Sequence, residues 1–107
     1  MQVSVICTIL NEGDAIRPLL DSLLDQTRPA DEIIIVDGGS IDHTLEVLKE
    51  YMSWLPIKVE VAHGANISEG RNIAIGFAQG AIIDATDAGV VLSPVWIEEL
   101  ARPIEAG

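Results

Sequence analysis

The sequence predicts an α/β fold of three layers, in which a mainly parallel sheet carries helices on both faces. Short apolar runs of strand length alternate along the 107 residues with segments whose apolar residues recur at helical spacing. Nearly half of the residues (49%) are hydrophobic and only 4% are aromatic, so the core is expected to be aliphatic. Strands and helices that alternate through short loops require right-handed crossovers, which place the strands parallel. We therefore expect residues 1–107 to form a single domain.

The first half of the chain contains the two most apolar strands. The run VSVICTIL, residues 3–10, predicts a buried strand, and EIIIVD, residues 32–37, predicts a second one. Pro18 must lie near the start of the first helix because it has no amide hydrogen to donate. Pro56 ends the second helix. One face of each helix is apolar, with Ile16, Leu19, Leu20, Leu23 and Leu24 in the first and Leu45, Leu48, Met52 and Leu55 in the second.

The second half repeats the pattern with weaker strands. The run IKVEV, from residue 57, alternates strictly, which predicts a strand that meets water on one face or lies at a sheet edge. Ser68 is the expected N-cap of the third helix, which should end at Gly80. AIIDAT then predicts the fourth strand. Ser93 and Pro94 predict the start of a last helix, with the serine as cap and the proline in the first helical position.

Charge and cysteine content exclude several functional classes. The formal charge of −11 argues against a nucleic-acid-binding face, since such faces are basic. The single cysteine, Cys7, lies in the first apolar run, which excludes disulfide and zinc frameworks and predicts a buried thiol. No segment approaches the roughly 20 apolar residues of a membrane span. We expect a cytoplasmic location, or the inner face of a membrane if the whole protein carries an anchor.

Polar residues are concentrated directly after the predicted strands. In open parallel sheets ligands bind beyond the carboxyl ends of the strands. The residues in that position are Asn11, Glu12 and Asp14, then 37–42, then 63–71, and finally 87–89. The sequence therefore predicts a ligand site at this edge of the sheet.

Asp37 is the most informative of these residues. It follows a buried strand, and Gly38 and Gly39 after it allow a ligand to approach the backbone closely. Its carboxylate is suited to accept hydrogen bonds from a nucleobase imide or a ribose hydroxyl. The alternative is a turn whose Ser40 or Asp42 caps the next helix.

Two other nucleotide-related folds fit the sequence poorly. The dinucleotide fingerprint G-x-G-x-x-G should follow the first strand, where this chain has NEGDAIRP. A receiver domain needs a phosphate-accepting aspartate after the third strand, where this chain has VEVAHG. His63 in that loop is expected to be a solvated side chain.

Charged residues in the second half point to an anion. Arg71 is expected in the first turn of the third helix, where the helix dipole disfavours a cation, so an anion should lie nearby. A salt bridge to Glu69 or Glu12 is the alternative. Asp87 ends the fourth strand, and Asp84, three residues earlier, should point to the opposite face unless the strand has ended. Asp84 is expected at a sheet edge or beside a basic group.

Several ordered motifs together resemble a known family, the inverting glycosyltransferases of family 2. The first block is residues 3–48, which has Asn-Glu after the first strand and Val-Asp-Gly-Gly-Ser-x-Asp after the second. The second block is GANISEGRNIAIGFAQGAIIDATDAG, and the third is VVLSPVWIEEL. The resemblance implies the Rossmann-like nucleotide-binding half of the GT-A fold. It further implies that the donor nucleotide is bound by Thr8, Asn11, Glu12, Asp37, Gly39 and Arg71. Within that set Asp37 would contact the base or ribose, and Arg71 would lie near the diphosphate.

The resemblance also implies a divalent cation, Mg²⁺ or Mn²⁺, at Asp87, the first acid of the family's Asp-x-Asp motif. Gly89 replaces the second acid, so metal affinity should be weaker. A nucleoside-diphosphate sugar, with UDP as the expected nucleotide, would be the donor, and the acceptor is not indicated. The catalytic base belongs to a part of such enzymes beyond these residues, so they are not expected to catalyse transfer alone. A non-catalytic nucleotide-binding or interaction module is the alternative function, and a homo-oligomer is a further expectation.

Overall fold

A computed structural model describes residues 1–106 and shows a parallel four-stranded sheet. The strands lie in the order β3-β2-β1-β4, and each neighbouring pair is parallel. This arrangement confirms the predicted α/β class. The strand bounds are β1 (Val3–Ile9), β2 (Glu32–Asp37), β3 (Ile57–Val61) and β4 (Ile82–Ala85).

The helices cover both faces of the sheet, but unequally. A short 3-10 helix (Gly13–Ile16) leads into α1 (Arg17–Leu24), whose first turn contains Pro18 as expected. The remaining helices are α2 (Thr44–Tyr51), α3 (Ile67–Phe77) and α4 (Trp96–Ala106). Residues of α1, α2 and α4 share the large core on one face, whereas the other core combines strand residues with Ala74 of α3. The three-layer prediction is therefore confirmed.

The burial of each strand follows its place in the sheet. Every residue of β2, a central strand, is buried, and β3 alternates because it forms one edge. The strict alternation of IKVEV therefore identified an edge strand correctly. β4 forms the other edge and ends at Ala85, so Asp84 lies within the strand and Asp87 lies beyond it. Asp84 therefore lies on an edge strand, as expected, but its side chain is buried and its Oδ2 has no hydrogen-bond partner among the described residues.

Two predicted helix starts are wrong. The N-cap of α3 is Asn66, not Ser68: Asn66 accepts from the Glu69 amide at 2.8 Å, and Glu69 accepts from the Asn66 amide at 3.2 Å. This reciprocal capping box satisfies two backbone donors at once, which a cap at Ser68 would not do. Arg71 consequently lies in the second turn of α3, not the first, and α3 ends at Phe77 before reaching Gly80.

The last helix begins later than expected. Residues 93–96 form a turn in which the Trp96 amide donates to the Ser93 carbonyl at 3.0 Å, and α4 starts at Trp96. Ser93 and Pro94 therefore precede the helix. Within residues 1–106 no helix is both long and apolar enough to cross a membrane.

Candidate functional site

A cleft opens at the carboxyl end of β1, between the loop after that strand and the start of α3. Its volume is about 310 Å³. Its walls come from both sides of the opening: Thr8, Ile9, Leu10 and Glu12 from β1 and its loop, and Ala65, Asn66 and Ile67 from the start of α3. Leu10 and Ile67 are 51% and 63% exposed, so two apolar side chains lie open beside polar ones. This mixture suits a flat organic ring that carries polar edges.

A smaller pocket adjoins this cleft and shares Thr8 and Ile67 with it. Arg71, Thr86 and Asp87 line the smaller pocket. The structure therefore places four of the predicted site residues around one opening: Thr8, Glu12, Arg71 and Asp87.

Gly70 allows α3 to lie close to β1 at this opening. A Cβ atom at Gly70 would stand 2.4 Å from Cγ2 and 2.5 Å from Oγ1 of Thr8. Real side chains do not approach so closely, so a larger residue would push the helix away from the strand. Asn66 and Gly70 lie within the predicted stretch 63–71, but neither was predicted individually to form the site. The Asn-x-x-Glu spacing of the capping box was the available signal for Asn66.

Asp37 is completely buried, and its own loop occupies its carboxylate. Oδ2 accepts from the amides of Gly39 at 3.2 Å and Ser40 at 2.8 Å, and Oδ1 accepts from the Ser40 hydroxyl. The geometry thus shows the turn-organising role that the sequence left as the alternative for this loop. Contact between Asp37 and a nucleotide stays a prediction.

Asn11 joins the loops that follow β1 and β2. Its backbone is left-handed, with φ of 50°. Its amide donates to the Ser40 hydroxyl at 2.8 Å, and its side-chain oxygen accepts from the Ile41 amide at 2.8 Å. Asn11 therefore uses its backbone donor and its side-chain acceptor within the protein, while its side-chain amide hydrogens are not engaged by a described residue.

Gly39 and His63 pack together beside this loop. Gly39 has φ of 107°, and a Cβ atom there would stand 2.7 Å from Nδ1 of His63. The glycine is required both by its backbone conformation and by this contact. His63 is exposed to solvent, as expected, but it also covers the turn that holds Asp37.

Neither of the alternative caps, Ser40 or Asp42, occupies the N-cap position of α2, which is His43 and makes no side-chain cap bond. Oδ1 of Asp42 accepts from the amide of Thr44 at 3.0 Å and from the Thr44 hydroxyl, so Asp42 organises the first turn of α2. These bonds lower the pKa of Asp42. Ser40 does not cap the helix, because its hydroxyl is bound to Asp37 and Asn11.

Asp14 does not line the cleft, and its carboxylate is engaged in ion pairs. It lies 2.8 Å from Arg17 Nε and 3.1 Å from His43 Nε2, and Arg17 also pairs with Glu50 at 2.7 Å. The hydrogen bond from Arg17, followed by that from His43, lowers the pKa of the Asp14 carboxyl. Asp14 thus belongs to the packing between α1 and α2.

Arg71 carries an exposed positive charge at the smaller pocket. It forms no salt bridge with Glu69, Glu12 or any other residue that the structure describes. Glu69 is engaged in the capping box instead. The salt-bridge alternative for Arg71 is therefore excluded within residues 1–106, and the cation remains available to an anionic ligand.

Asp87 and Glu12 make the end of β1 electronegative. Burial, followed by the charges of Asp87 and Glu12, raises the pKa of Cys7 to about 12. Cys7 therefore remains a protonated, buried thiol, as the sequence predicted. The residues 1–106 contain no group of three His, Cys, Asp or Glu side chains able to hold a metal ion. A single carboxylate combined with ligand phosphates and water is nevertheless a common way to bind Mg²⁺, and exposed Asp87 fits that arrangement.

Comparison with known proteins identifies the family. The model of glycosyl transferase family 2 matches residues 4–107. The uncharacterized glycosyltransferase YibD of Escherichia coli K12 is 38% identical over 101 residues, which cover 92% of this chain and 29% of that protein.

Solved structures agree with this match. Residues 1–349 of TarS from S. aureus, in complex with UDP-GlcNAc, superpose with a TM-score of 0.91 at 28% identity, covering 99% of this chain and 32% of that one. The mannosyltransferase PcManGT from Pyrobaculum calidifontis, in complex with GDP-Man and Mn²⁺, superposes with a TM-score of 0.79 at 26% identity, covering 87% of this chain and 29% of that one. This chain thus spans about a third of the length of these proteins. It belongs to glycosyltransferase family 2.

Proposed function

We propose that residues 1–107 form the donor-binding part of a glycosyltransferase and hold a nucleoside-diphosphate sugar at the carboxyl end of β1. One observation carries this proposal: the cleft beside Thr8 and Glu12 continues into a pocket lined by Asp87 and by Arg71, a cation without an ion-pair partner among the described residues. A ligand with a ring at one end and a diphosphate at the other matches this succession.

The larger cleft would receive the nucleoside. Leu10 and Ile67 offer apolar walls, and Thr8 and Glu12 offer hydrogen-bonding groups. The similarity to TarS, which was crystallised with UDP-GlcNAc, favours a UDP-sugar. Asp37 would contact the base or ribose only through an exchange of partners, because Ser40 now bonds both of its carboxylate oxygens.

The diphosphate would lie across the mouth of the smaller pocket, whose own volume of about 10 Å³ holds about one water molecule. Arg71 would offset its charge, and Asp87 would hold Mg²⁺ or Mn²⁺ together with the phosphate oxygens. The Mn²⁺ in the PcManGT complex supports a divalent cation. When bound, such an ion stabilises the charge on a departing diphosphate. Gly89 is exposed and contributes no carboxylate, so the cation is expected to bind weakly without the nucleotide.

The reaction of the complete enzyme would invert the anomeric carbon. An acceptor hydroxyl would attack that carbon while a base removes its proton, and the bond to the nucleoside diphosphate would break. Arg71 would stabilise the charge that develops on the leaving group. No residue of this chain is assigned as the base. We therefore propose that the 107 residues bind the donor but do not transfer its sugar, which an assay of donor turnover would test.

Titration calorimetry with UDP, GDP, uridine and UDP-GlcNAc, with and without Mn²⁺, tests the proposal. We expect saturable binding of UDP and UDP-GlcNAc. Arg71→Ala should weaken UDP binding about tenfold, as the loss of one charge-assisted contact does, and should leave uridine binding unchanged. Arg102→Ala removes an exposed arginine of α4 and provides the matched control. Asp87→Asn should abolish the effect of Mn²⁺.

A folded chain that binds none of these nucleotides would contradict the proposal and favour a non-catalytic interaction module. Equal loss of uridine and UDP affinity in Arg71→Ala would contradict the placement of the diphosphate. Self-association and a cytoplasmic location stay predictions, and sedimentation at several concentrations tests the first.

A further inference from the structure

The Ser40 hydroxyl is one of the groups that join the loops after β1 and β2. The Ser40 hydroxyl donates to Oδ1 of Asp37 and accepts from the amide of Asn11 at 2.8 Å. Its single proton is therefore committed to Asp37, and one of its lone pairs is committed to Asn11. No other described residue bonds the Asn11 amide. Ser40 thus links the fully buried Asp37 carboxylate to the backbone amide of Asn11 in the neighbouring loop.

The residue that Ser40 holds has an unusual backbone conformation. Asn11, with φ of 50°, is the only residue other than glycine with positive φ within residues 1–106. Such conformations persist where surrounding contacts impose them. The two contacts here are the hydroxyl of Ser40 and the amide of Ile41, both at 2.8 Å. Ile41 is itself 92% exposed, so hydrogen bonds rather than apolar packing fix this part of the loop.

Asn11 lies between two residues that line the larger cleft. Leu10 precedes it and Glu12 follows it, and both belong to the cleft wall. The backbone torsions of Asn11 determine how the side chains of Leu10 and Glu12 are directed relative to one another. If Asn11 relaxed to an ordinary conformation, these two walls would no longer face the cleft together.

We propose that Ser40 is a positioning residue for the nucleoside end of the donor cleft. It fixes Asn11 in the left-handed conformation and thereby keeps Leu10 and Glu12 in place before the ligand arrives. Ser40 does not need to touch the ligand for this role. The inference rests on the proposed function, namely that this cleft binds a nucleoside diphosphate.

The matched comparison is Ser40→Ala against Ser22→Ala. Ser22 is buried, its hydroxyl donates to the Leu19 carbonyl at 2.7 Å, and it accepts from the Leu92 amide at 3.1 Å. Both serines therefore donate once and accept once from a backbone amide, but neither Ser22 nor its partners line the cleft or the smaller pocket. We expect Ser40→Ala to weaken UDP binding about tenfold, the factor that corresponds to one hydrogen bond. Ser22→Ala should change UDP affinity less than about twofold, and Ser40→Thr, which keeps the hydroxyl, should restore it.

Hydrogen exchange of the Asn11 amide provides a readout that needs no ligand. Ser40→Ala should accelerate this exchange, whereas Ser22→Ala should leave it unchanged. Wild-type UDP affinity in Ser40→Ala, or equal losses in both alanine variants, would overturn the inference. If the wild-type chain bound no nucleotide although exchange at Asn11 still depended on Ser40, the proposed function would fail while the connection between the loops would stand.

Discussion

The two ends of β2 carry buried carboxylates that have different roles. Glu32, at the amino end, accepts from the Ser4 hydroxyl and from the amides of Gln79 and Gly80, and lies 3.3 Å from Lys58. These partners lie 26 to 48 residues away from Glu32 along the sequence. Asp37, at the carboxyl end, accepts only from residues two and three positions later.

The difference in partners indicates that Glu32 contributes mainly to stability and Asp37 mainly to the structure of the cleft. Glu32 joins β1, β3 and the loop after α3 at the end of the sheet opposite the cleft, so it stabilises the tertiary structure. The Asp37 carboxylate bonds only within its own loop at the cleft, and it reaches the loop after β1 through Ser40. A buried acid at a strand end is therefore not by itself a sign of ligand binding. The partners of the acid decide its role.

The largest expected effect is at Glu32. Glu32→Gln removes the charge that several donors share, and bonds to charged groups contribute about 1.5–3 kcal/mol each. We expect the free energy of unfolding to fall by about 3 kcal/mol, since the substituted amide can replace only part of the network. Urea unfolding followed by circular dichroism measures this. A loss smaller than that of Asp37→Asn would reverse the comparison.

Helix α3 begins at the cleft and ends two residues before Gln79, whose amide bonds Glu32. Substitutions at two of its glycines therefore give a second test of the comparison. Gly70→Ala places a Cβ atom 2.4 Å from Thr8, so we expect a loss of about 2 kcal/mol and weaker nucleotide binding as the helix moves away from β1. Gly76→Ala is the control in the same helix, since a Cβ atom there meets nothing within 4 Å. It should raise stability by up to about 1 kcal/mol. A similar gain in stability in both variants would contradict the steric limit that Thr8 is expected to impose at Gly70.

Asp37→Asn should have the smaller effect on folding and the larger effect on the cleft. The asparagine oxygen can still accept from the Ser40 amide, so we expect the free energy of unfolding to fall by about 1 kcal/mol. UDP affinity should fall more than it does in Glu32→Gln. A double-mutant cycle with Ser40→Ala distinguishes two mechanisms: full coupling indicates action through Ser40, and additive losses indicate a separate contact with the nucleotide.

The smallest effect is a contrast in pH dependence between Glu32 and Asp84. Burial raises the pKa of Glu32, but bonds from Ser4, Gln79 and Lys58 outweigh it and hold the pKa below its ordinary value. The stability it contributes is therefore present above the unfolded pKa of about 4.3 and is lost as pH falls through the lower folded pKa. The free energy of unfolding that Glu32→Gln loses relative to wild type should therefore become smaller as the pH is lowered from about 7 to about 3.

Asp84 should behave in the opposite sense. Burial raises its pKa, and the charge of Arg28 only partly opposes this. The folded state then favours the protonated acid, so a penalty accumulates as pH rises above the unfolded value of about 3.9. Asp84→Asn removes that penalty, so the stability of this variant relative to wild type should increase as the pH rises. Urea unfolding at several pH values measures both variants, and parallel pH trends would contradict the assignments.

The order of elements and most buried positions could be predicted from the sequence because they follow local periodicity. Each apolar strand and each amphipathic helix carries its own pattern, and β3 showed its edge position through strict alternation. Helix starts were less certain, since Ser68 and Asn66 are both suitable caps. The reciprocal bond with Glu69 decided in favour of Asn66.

Local sequence patterns were sufficient to predict the parallel α/β fold, the edge of the sheet at which polar residues gather, and the family. The three-dimensional structure was needed to show that Asp37 is enclosed by its own loop, that Glu32 joins distant segments, and that Arg71 lacks an ion-pair partner among the described residues. The difference arises from distance along the chain. Periodicity and capping act over a few residues, whereas the bond between Asn11 and Ser40 spans 29 positions and forms only when two loops meet at the end of the sheet.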